Sequence, residues 1–196
     1  MKRLTTLLAA ALFSCLTICA QSYADYQKAV ARYRNVSSVT ATATKTTHKA
    51  AVSKDQVATG ALSVRTPDNV SISISGGKDA LLMAGTNFTM TIRGHQAKTN
   101  TTKMPSFQTF HDVLESIFSG GKTDISKHSE VKISKSAGNV VLTITPTAAS
   151  KKAMKRQLFT SFVITIDSKT SEMRALRMNQ KGGSYQEYTF SNYKMK

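Results

Sequence analysis

The 196-residue chain has little cysteine, proline or acidic charge, and it has no tryptophan. Its two cysteines, Cys15 and Cys19, lie in an apolar run near the N-terminus. An apolar run of this length near the N-terminus is typical of a secretory signal peptide, which is removed from the mature protein. The remaining domain then has no thiol, which excludes disulfides, cysteine metal sites and cysteine nucleophiles.

Residue patterns of catalysis and metal binding are also absent from the sequence. The chain lacks a Gly-x-Ser-x-Gly elbow, and its acidic residues are too few to suggest a pair for acid/base work. The histidines are scattered and lack the spacing of metal ligands. We therefore expect no enzymatic activity, no catalytic residue, no cofactor and no metal site. The four histidines are His48, His95, His111 and His128.

The N-terminus has the order of a signal peptide. Lys2 and Arg3 precede an apolar run over residues 7–18, which is shorter than the roughly 20 residues of a membrane-spanning helix. We predict cleavage after Ala20, so that residues 1–20 are the signal and residues 21–196 form a single domain. A second candidate cleavage site follows Ala24.

Lipid anchoring at Cys15 is the weaker alternative. Phe13 is bulky for a lipoprotein signal, and the apolar run continues beyond the cysteine. We therefore expect a secreted protein without a lipid anchor.

Basic residues far outnumber acidic ones. Lys and Arg total 27 against 11 Asp and Glu, and removal of Lys2 and Arg3 leaves 25 against 11, a balance of +14. Such a balance favours polyanionic glycans, anionic lipid headgroups or an acidic protein as partners. Export argues against nucleic acid. The charges are spread singly except at residues 151–156, a cluster that a solvated loop also explains.

Alternating apolar and polar residues predict a β-rich fold. Residues 70–75 are the clearest of about nine to eleven predicted strands. Two helices are predicted, a short one over residues 25–34 and a longer one over residues 105–119 with one broad apolar face. A sheet with an apolar face must cover it, and two helices cover little. We predict a mainly β (α+β) fold, a half-open antiparallel β-barrel with a helical lid over an apolar cavity.

Several motifs occur in a characteristic order. A threonine-rich strand at residues 36–41 is followed by a Gly-x-Leu strand that runs from Gly60 into a turn at Pro67. After the lid helix comes a Leu-x-x-x-Pro strand end at residues 142–146, and the final hairpins at residues 162–192 match best. This order resembles the LolA family of periplasmic lipoprotein carriers, especially its relatives in Bacteroidetes, over nearly the whole predicted domain.

The resemblance implies a periplasmic carrier that binds acyl chains of lipoproteins and shuttles them from the inner to the outer membrane. Its implied partners are acylated lipoproteins, an inner-membrane lipoprotein-releasing ABC transporter and an outer-membrane acceptor. We expect a monomer that contacts the membrane surface transiently. Each buried CH₂ is worth about 0.8 kcal/mol, so hiding one long acyl chain offsets on the order of 10 kcal/mol of water exposure.

The residues of the lipid-binding cavity are predicted from which side chains share a face of each strand or helix. The predicted cavity residues are Leu62, Val64, Ile72, Ile74, Phe88, Met90, Ile92, Phe107, Phe110, Leu114, Ile117, Phe162, Ile164, Ile166, Leu176 and Met178.

The sequence departs from the family in two places. Enteric members have an arginine directly before the turn proline, where it is tied to lid opening. Here Thr66 holds that place, and Arg65, one residue earlier, is the candidate for lid gating. The family's Trp-x-Tyr segment is also missing, and its nearest counterpart is residues 81–83.

Three other functions are compatible with the sequence. The same fold could bind another lipid, a glycolipid or a pigment precursor, or sense mislocalised lipoproteins. The basic surface could bind polyanions while the barrel is only structural, in which case binding would fall steeply with salt. Enzymatic activity has no positive support in the sequence.

Overall fold

The computed structural model describes residues 22–102, 106–146 and 159–196. The predicted signal peptide and the basic cluster at residues 151–156 lie outside these described residues. Helix α1 is described over residues 22–30 and continues into a 3-10 turn at Ala31–Asn35, and helix α2 spans Ser106–Phe118. Both predicted helices are therefore found close to their predicted bounds.

The described residues form eleven strands of one antiparallel sheet. The strands are β1 (Val39–His48), β2 (Gln56–Thr66), β3 (Asn69–Ile74), β4 (Asp79–Ala84), β5 (Asn87–Ile92), β6 (His95–Asn100), β7 (Val131–Ser136), β8 (Asn139–Ile144), β9 (Phe159–Asp167), β10 (Met173–Gln180) and β11 (Tyr185–Met195).

The strand order is β6-β5-β4-β3-β2-β1-β11-β10-β9-β8-β7. The first and last strands are neighbours in the middle of the sheet, and β6 and β7 are its two edges. The sheet is therefore open, and the predicted half-open β-barrel with a short N-terminal helix is confirmed. Strand β6 was not predicted, because the segment His95–Asn100 lacks apolar alternation. It pairs only with β5, as an edge strand can.

Helix α2 occupies the crossing between the two edges. Strands β1 to β6 run outward as successive hairpins, and strands β7 to β11 return from the opposite edge. The chain must therefore cross from β6 to β7, and α2 lies in that connection. An amphipathic helix at this point can bury its apolar face against the apolar face of the sheet.

One face of the sheet is apolar across its width. On β1, Val39, Ala41 and Ala43 are buried, whereas the threonines between them are not. Leu62 pairs with Ala41 and Ile72, and Ile72 pairs in turn with Leu81. In the other half of the sheet, Ile164 pairs with Leu142 and Leu176. We call this side of the sheet the inner face.

The turn between β9 and β10 depends on one carboxylate. Asp167 Oδ1 accepts hydrogen bonds from the backbone N–H groups of Thr170 (2.9 Å) and Lys169 (2.8 Å), and Arg174 Nη2 donates to Oδ2 at 3.1 Å. Because these bonds favour the charged form, the pKa of Asp167 is lowered to about 2.

Asp167→Asn is expected to weaken the acid dependence of folding stability. The pKa of Asp167 in the folded protein lies below the ordinary value of 3.8. Its contribution to the free energy of unfolding is therefore complete above pH 3.8 and is lost as the pH falls toward 2. With allowance for solvent screening, Asp167→Asn should lower the free energy of unfolding near neutral pH by on the order of 1 kcal/mol. Urea unfolding between pH 2 and 7 measures it. The control Asp68→Asn, on the exposed β2–β3 turn, should keep the parental dependence of the free energy of unfolding on pH. If Asp167→Asn also kept that dependence, the prediction would be contradicted.

Candidate functional site

Aromatic rings join helix α2 to both halves of the sheet. Phe107 lies 5.1 Å from Phe88 on β5 and 6.2 Å from Phe162 on β9, measured between ring centroids. Phe110 stacks on Phe162 at 4.5 Å. These rings fill the space between the helix and the sheet. A long apolar chain can enter that space only if the helix moves away from the inner face.

Most predicted cavity residues lie together between the sheet and the helix. Phe88 and Phe162 meet the α2 residues Phe107 and Phe110 directly, as described above. The others belong to the same buried apolar cluster. Its predicted members are Leu62, Val64, Ile72, Ile74, Phe88, Phe107, Phe110, Leu114, Ile117, Phe162, Ile164, Ile166, Leu176 and Met178. Whether they contact a ligand stays a prediction.

Met90 and Ile92 differ from this set. Met90 is partly buried and packs against the cluster, whereas Ile92 is 41% exposed. Both share a face of β5 with Phe88, as predicted, but β5 is next to the edge of the sheet. The apolar inner face therefore reaches solvent at this end of β5.

Several further apolar residues of the same cluster were not among the predicted cavity residues. Val39, Leu142, Ile144 and Phe190 are buried in the cluster. Each is an apolar residue of an alternating strand, so the period-2 pattern could have indicated it. Phe118, at the C-terminal end of α2, also belongs to the cluster.

A cavity of about 340 Å³ opens at the C-terminal end of α2. Such a volume is at the small end of the roughly 300–1,000 Å³ range of ligand sites. Val39 and Val64, which pair across β1 and β2, line it together with Phe118. Arg65 and Thr66 also line it, and Arg65 is exposed. The structure thus places the gating candidate Arg65 at a cavity of the inner face, and its gating role stays a prediction.

Hydrogen bonds fix the C-terminal end of α2. The Tyr26 hydroxyl on α1 donates to Ser116 Oγ (2.8 Å), which donates to the Thr123 carbonyl (2.6 Å). Arg34 Nε donates to the Gly120 carbonyl at 2.8 Å. The N-terminal half of α2 meets the sheet through aromatic rings instead. The C-terminal end of α2 is therefore held by hydrogen bonds and its N-terminal half by aromatic packing.

Gly120→Ala is expected to destabilise the protein by about 3 kcal/mol. Gly120 has φ +70°, and an added Cβ would lie 2.3 Å from Arg34 Cγ and 2.6 Å from the Arg34 backbone nitrogen. Gly138→Ala is the matched control, because Gly138 has φ +80° but open space around its Cα, and it should cost about 1 kcal/mol. Denaturant unfolding measures both. Equal losses would show that packing on Arg34 does not matter.

A histidine and carboxylate cluster lies on the polar side of α2, which the scattered sequence positions did not indicate. Asp112 accepts a hydrogen bond from Gln108 Nε2 (2.7 Å) and lies 3.0 Å from His111 Nδ1 and 3.2 Å from His128 Nε2. His111, Asp112 and Glu115 could each offer one ligand atom to a metal ion, within 4.8 Å of one another. The contact of Asp112 with His128 joins the helix to the loop that follows it.

The fold and the site together define a class of protein. It consists of an open antiparallel sheet, one apolar inner face, and a helix that crosses from edge to edge over that face. None of the helices that the structure describes is long and apolar enough to cross a membrane. No protein-family model matches the chain. No curated protein sequence matches it either.

Solved structures with a similar fold include a domain from Vibrio parahaemolyticus named for outer membrane lipoprotein sorting. It is 11% identical, with coverage of 91% of this chain and 93% of that one and a TM-score of 0.47. A LolA superfamily protein from Nitrosomonas europaea is 8% identical, with coverage of 85% and 92% and a TM-score of 0.36. The lipoprotein LppX from Mycobacterium tuberculosis is 11% identical, with coverage of 89% and 95% and a TM-score of 0.39.

These three structures resemble the chain in fold alone. Their TM-scores are below 0.5, and their identities are near one in ten residues.

Proposed function

We propose that the protein is a periplasmic carrier that binds the acyl chains of lipoproteins between its inner face and helix α2. The observation that carries the proposal is the aromatic contact of Phe107 and Phe110 with Phe88 and Phe162. These rings occupy an apolar space that reaches both halves of the sheet. Displacement of the rings by an acyl chain would exchange one apolar contact for another, at little loss of free energy.

Release of the ligand is as necessary to a carrier as binding. The rings can return to the same space when the acyl chain leaves, so the empty carrier does not expose its apolar face to water. The hydrogen bonds of Ser116 and Gly120 keep the helix attached during such a movement. A helix that is fixed at one end and held by rings at the other therefore suits reversible binding.

The remaining steps of the pathway belong to the proposal and rest on the sequence resemblance. The lipoprotein would be released from the inner membrane by an ABC transporter and delivered to an outer-membrane acceptor. Secretion into the periplasm rests on the predicted signal peptide. The basic balance of the chain would favour approach to anionic headgroups or acidic partners.

Capture from the native periplasm tests the proposal. The tagged protein is purified from periplasm, and the bound material is identified by mass spectrometry of acylated peptides and free lipids. Lipoproteins in stoichiometric amount support the carrier function. A lipid, glycolipid or pigment precursor without lipoproteins would show a binding protein for another ligand. Retention of polyanions alone, lost at high salt, would overturn acyl-chain binding.

A further inference from the structure

One buried ion pair interrupts the apolar inner face. Lys45 follows Val39, Ala41 and Ala43 in the inward-facing alternation of β1, where the next apolar residue is expected. Its strand neighbours are Ala58 on β2 and Tyr188 on β11, and its side chain is only 6% exposed. A lysine is almost never so buried unless it is paired, so this position is unusual.

The partner of Lys45 comes from a strand three places away in the sheet, with β2 and β3 between them. Lys45 Nζ lies 2.7 Å from Asp79 Oδ2, and the Asp79 side chain is 24% exposed. Asp79 pairs with Ile74, and Ile74 pairs with Gly60. The lysine side chain therefore extends over β2 and β3 to reach β4. The ion pair thus lies on the inner face, at the end of β1 away from the cavity at Val39.

Positive charge predominates around the pair. Asp79 Oδ1 accepts a hydrogen bond from the Arg93 backbone N–H at 2.8 Å, and Lys78 precedes Asp79 in the chain. Burial alone would raise the pKa of Asp79, but the Arg93 and Lys45 hydrogen bonds and their charges outweigh it and lower that pKa. Lys45 and Arg93 therefore place two positive charges near one carboxylate, with the exposed Lys78 next to it in the chain, and the surplus charge favours an additional anion.

Apolar surface lies directly beside this charge. The antiparallel pairing places Ile92 of β5 opposite Asp79, one position beyond the pair formed by Ala80 and Thr91. Ile92 is 41% exposed, and Met90 on the same face is partly buried. Lys45 is six residues from Val39 along β1, roughly 20 Å in a strand. The inner face is therefore charged and partly exposed at the end near Lys45 and Asp79, and it is apolar along the rest of β1 toward Val39.

We propose that this end of the inner face binds the anionic headgroup, a carboxylate or a phosphate, of a lipid whose tail lies along the inner face. An ammonium has three N–H donors, and Asp79 takes one from Lys45, so the amine can also donate to the headgroup. Lys78 and Arg93, which are both exposed, add positive charge beside this site. The inference rests on the proposed acyl-chain site and specifies the class of lipid that it prefers.

Fluorescence titration with cis-parinaric acid and its methyl ester tests the inference, because the two probes share a tail and differ in headgroup charge. We expect the acid to bind about tenfold more tightly, as befits a hydrogen bond to a charged group. The double variant Lys45→Met/Asp79→Asn removes the buried donor together with its partner and should lower this preference to about threefold, while ester binding stays within about twofold. Lys98→Met, an exposed lysine on the opposite face of β6, should keep the preference.

The outcomes separate the two proposals. Equal binding of acid and ester by the unaltered protein, or an unchanged preference in the double variant, would overturn the headgroup site and leave the acyl site intact. If neither probe binds, the acyl site itself fails. Should the double variant not fold, Arg93→Gln, an exposed change, is expected to lower the preference about threefold, and an unchanged preference would again overturn the site.

A competition arm distinguishes a lipid headgroup from a free anion. Phosphatidic acid and inorganic phosphate are each titrated against bound cis-parinaric acid at constant ionic strength. Displacement by phosphatidic acid alone supports a lipid headgroup attached to its tail. Displacement by inorganic phosphate at a similar concentration would show a simple anion site and would overturn the proposal.

Discussion

Phe110→Asp is expected to abolish acyl-chain capture. Phe110 is fully buried and stacks on Phe162 at 4.5 Å, so an aspartate there would place a carboxylate in the apolar space that the ligand is proposed to fill. Burial of an unpaired charge costs several kcal/mol, which favours a displaced helix and disfavours an acyl chain beside it. Binding of cis-parinaric acid and lipoprotein capture should both fall at least about tenfold.

The control for Phe110→Asp places the same charge on the other side of the sheet. Val57 on β2 is 64% exposed, and Val57→Asp should leave both binding and stability close to the parental values. Phe110→Ala is the milder variant, with an expected stability loss of about 3–5 kcal/mol. If Phe110→Asp retains a parental circular dichroism spectrum and full binding, the acyl chain does not use this space.

Gly60→Ala is expected to cost about 4 kcal/mol of folding stability. An added Cβ would lie 1.9 Å from the Ser73 carbonyl oxygen and 2.7 Å from Ile74 Cα, both backbone atoms of β3. Strands β2 and β3 would have to separate, since no side-chain rotation relieves the contact. For a chain of this length the melting temperature should fall by about 10 °C.

Thermal unfolding of a neighbouring variant provides the comparison for Gly60→Ala. Thr59 precedes Gly60, is exposed and points to the opposite face of β2, so Thr59→Ala should change the stability by no more than about 0.5 kcal/mol. A melting temperature of Gly60→Ala within two degrees or so of the parental value would mean that the strands can separate freely.

The two proposed parts of the site recognise different parts of the lipid. The rings of Phe107 and Phe110 provide apolar contact without a fixed shape, which favours many acyl chains equally. The pair of Lys45 and Asp79 is the polar, directional element, and directional bonds to charge provide most of the discrimination between ligands. A carrier with both parts would bind many tails and select among headgroups.

The sequence by itself determined the alternation of the strands and the identity of the lid helix. Val70, Ile72 and Ile74 alternate with serines, and such a pattern has one face to bury whatever its neighbours are. The apolar residues of α2 recur at helical spacing, so the helix and its bounds followed from local periodicity. The mainly β fold and its half-open form followed because two helices cannot cover so broad an apolar face.

Only the tertiary structure decided how the halves of the chain meet. The pairing of β1 with β11 joins residues far apart in sequence, and it makes β6 and β7 the edges that α2 connects. The edge strand β6 was not predicted, because a strand paired on one side needs no apolar alternation. The exposure of Ile92 likewise depends on the position of β5 beside that edge, which local sequence does not contain.

The ion pair of Lys45 and Asp79 likewise depends partly on the local sequence and partly on the tertiary structure. The alternation of β1 places Lys45 on the inner face, so its burial could be foreseen from the sequence. Its partner could not, because 34 residues separate the two and their contact requires the curvature of β2, β3 and β4. Local periodicity fixes which face a side chain occupies, and only the assembled sheet brings two such side chains within hydrogen-bond distance.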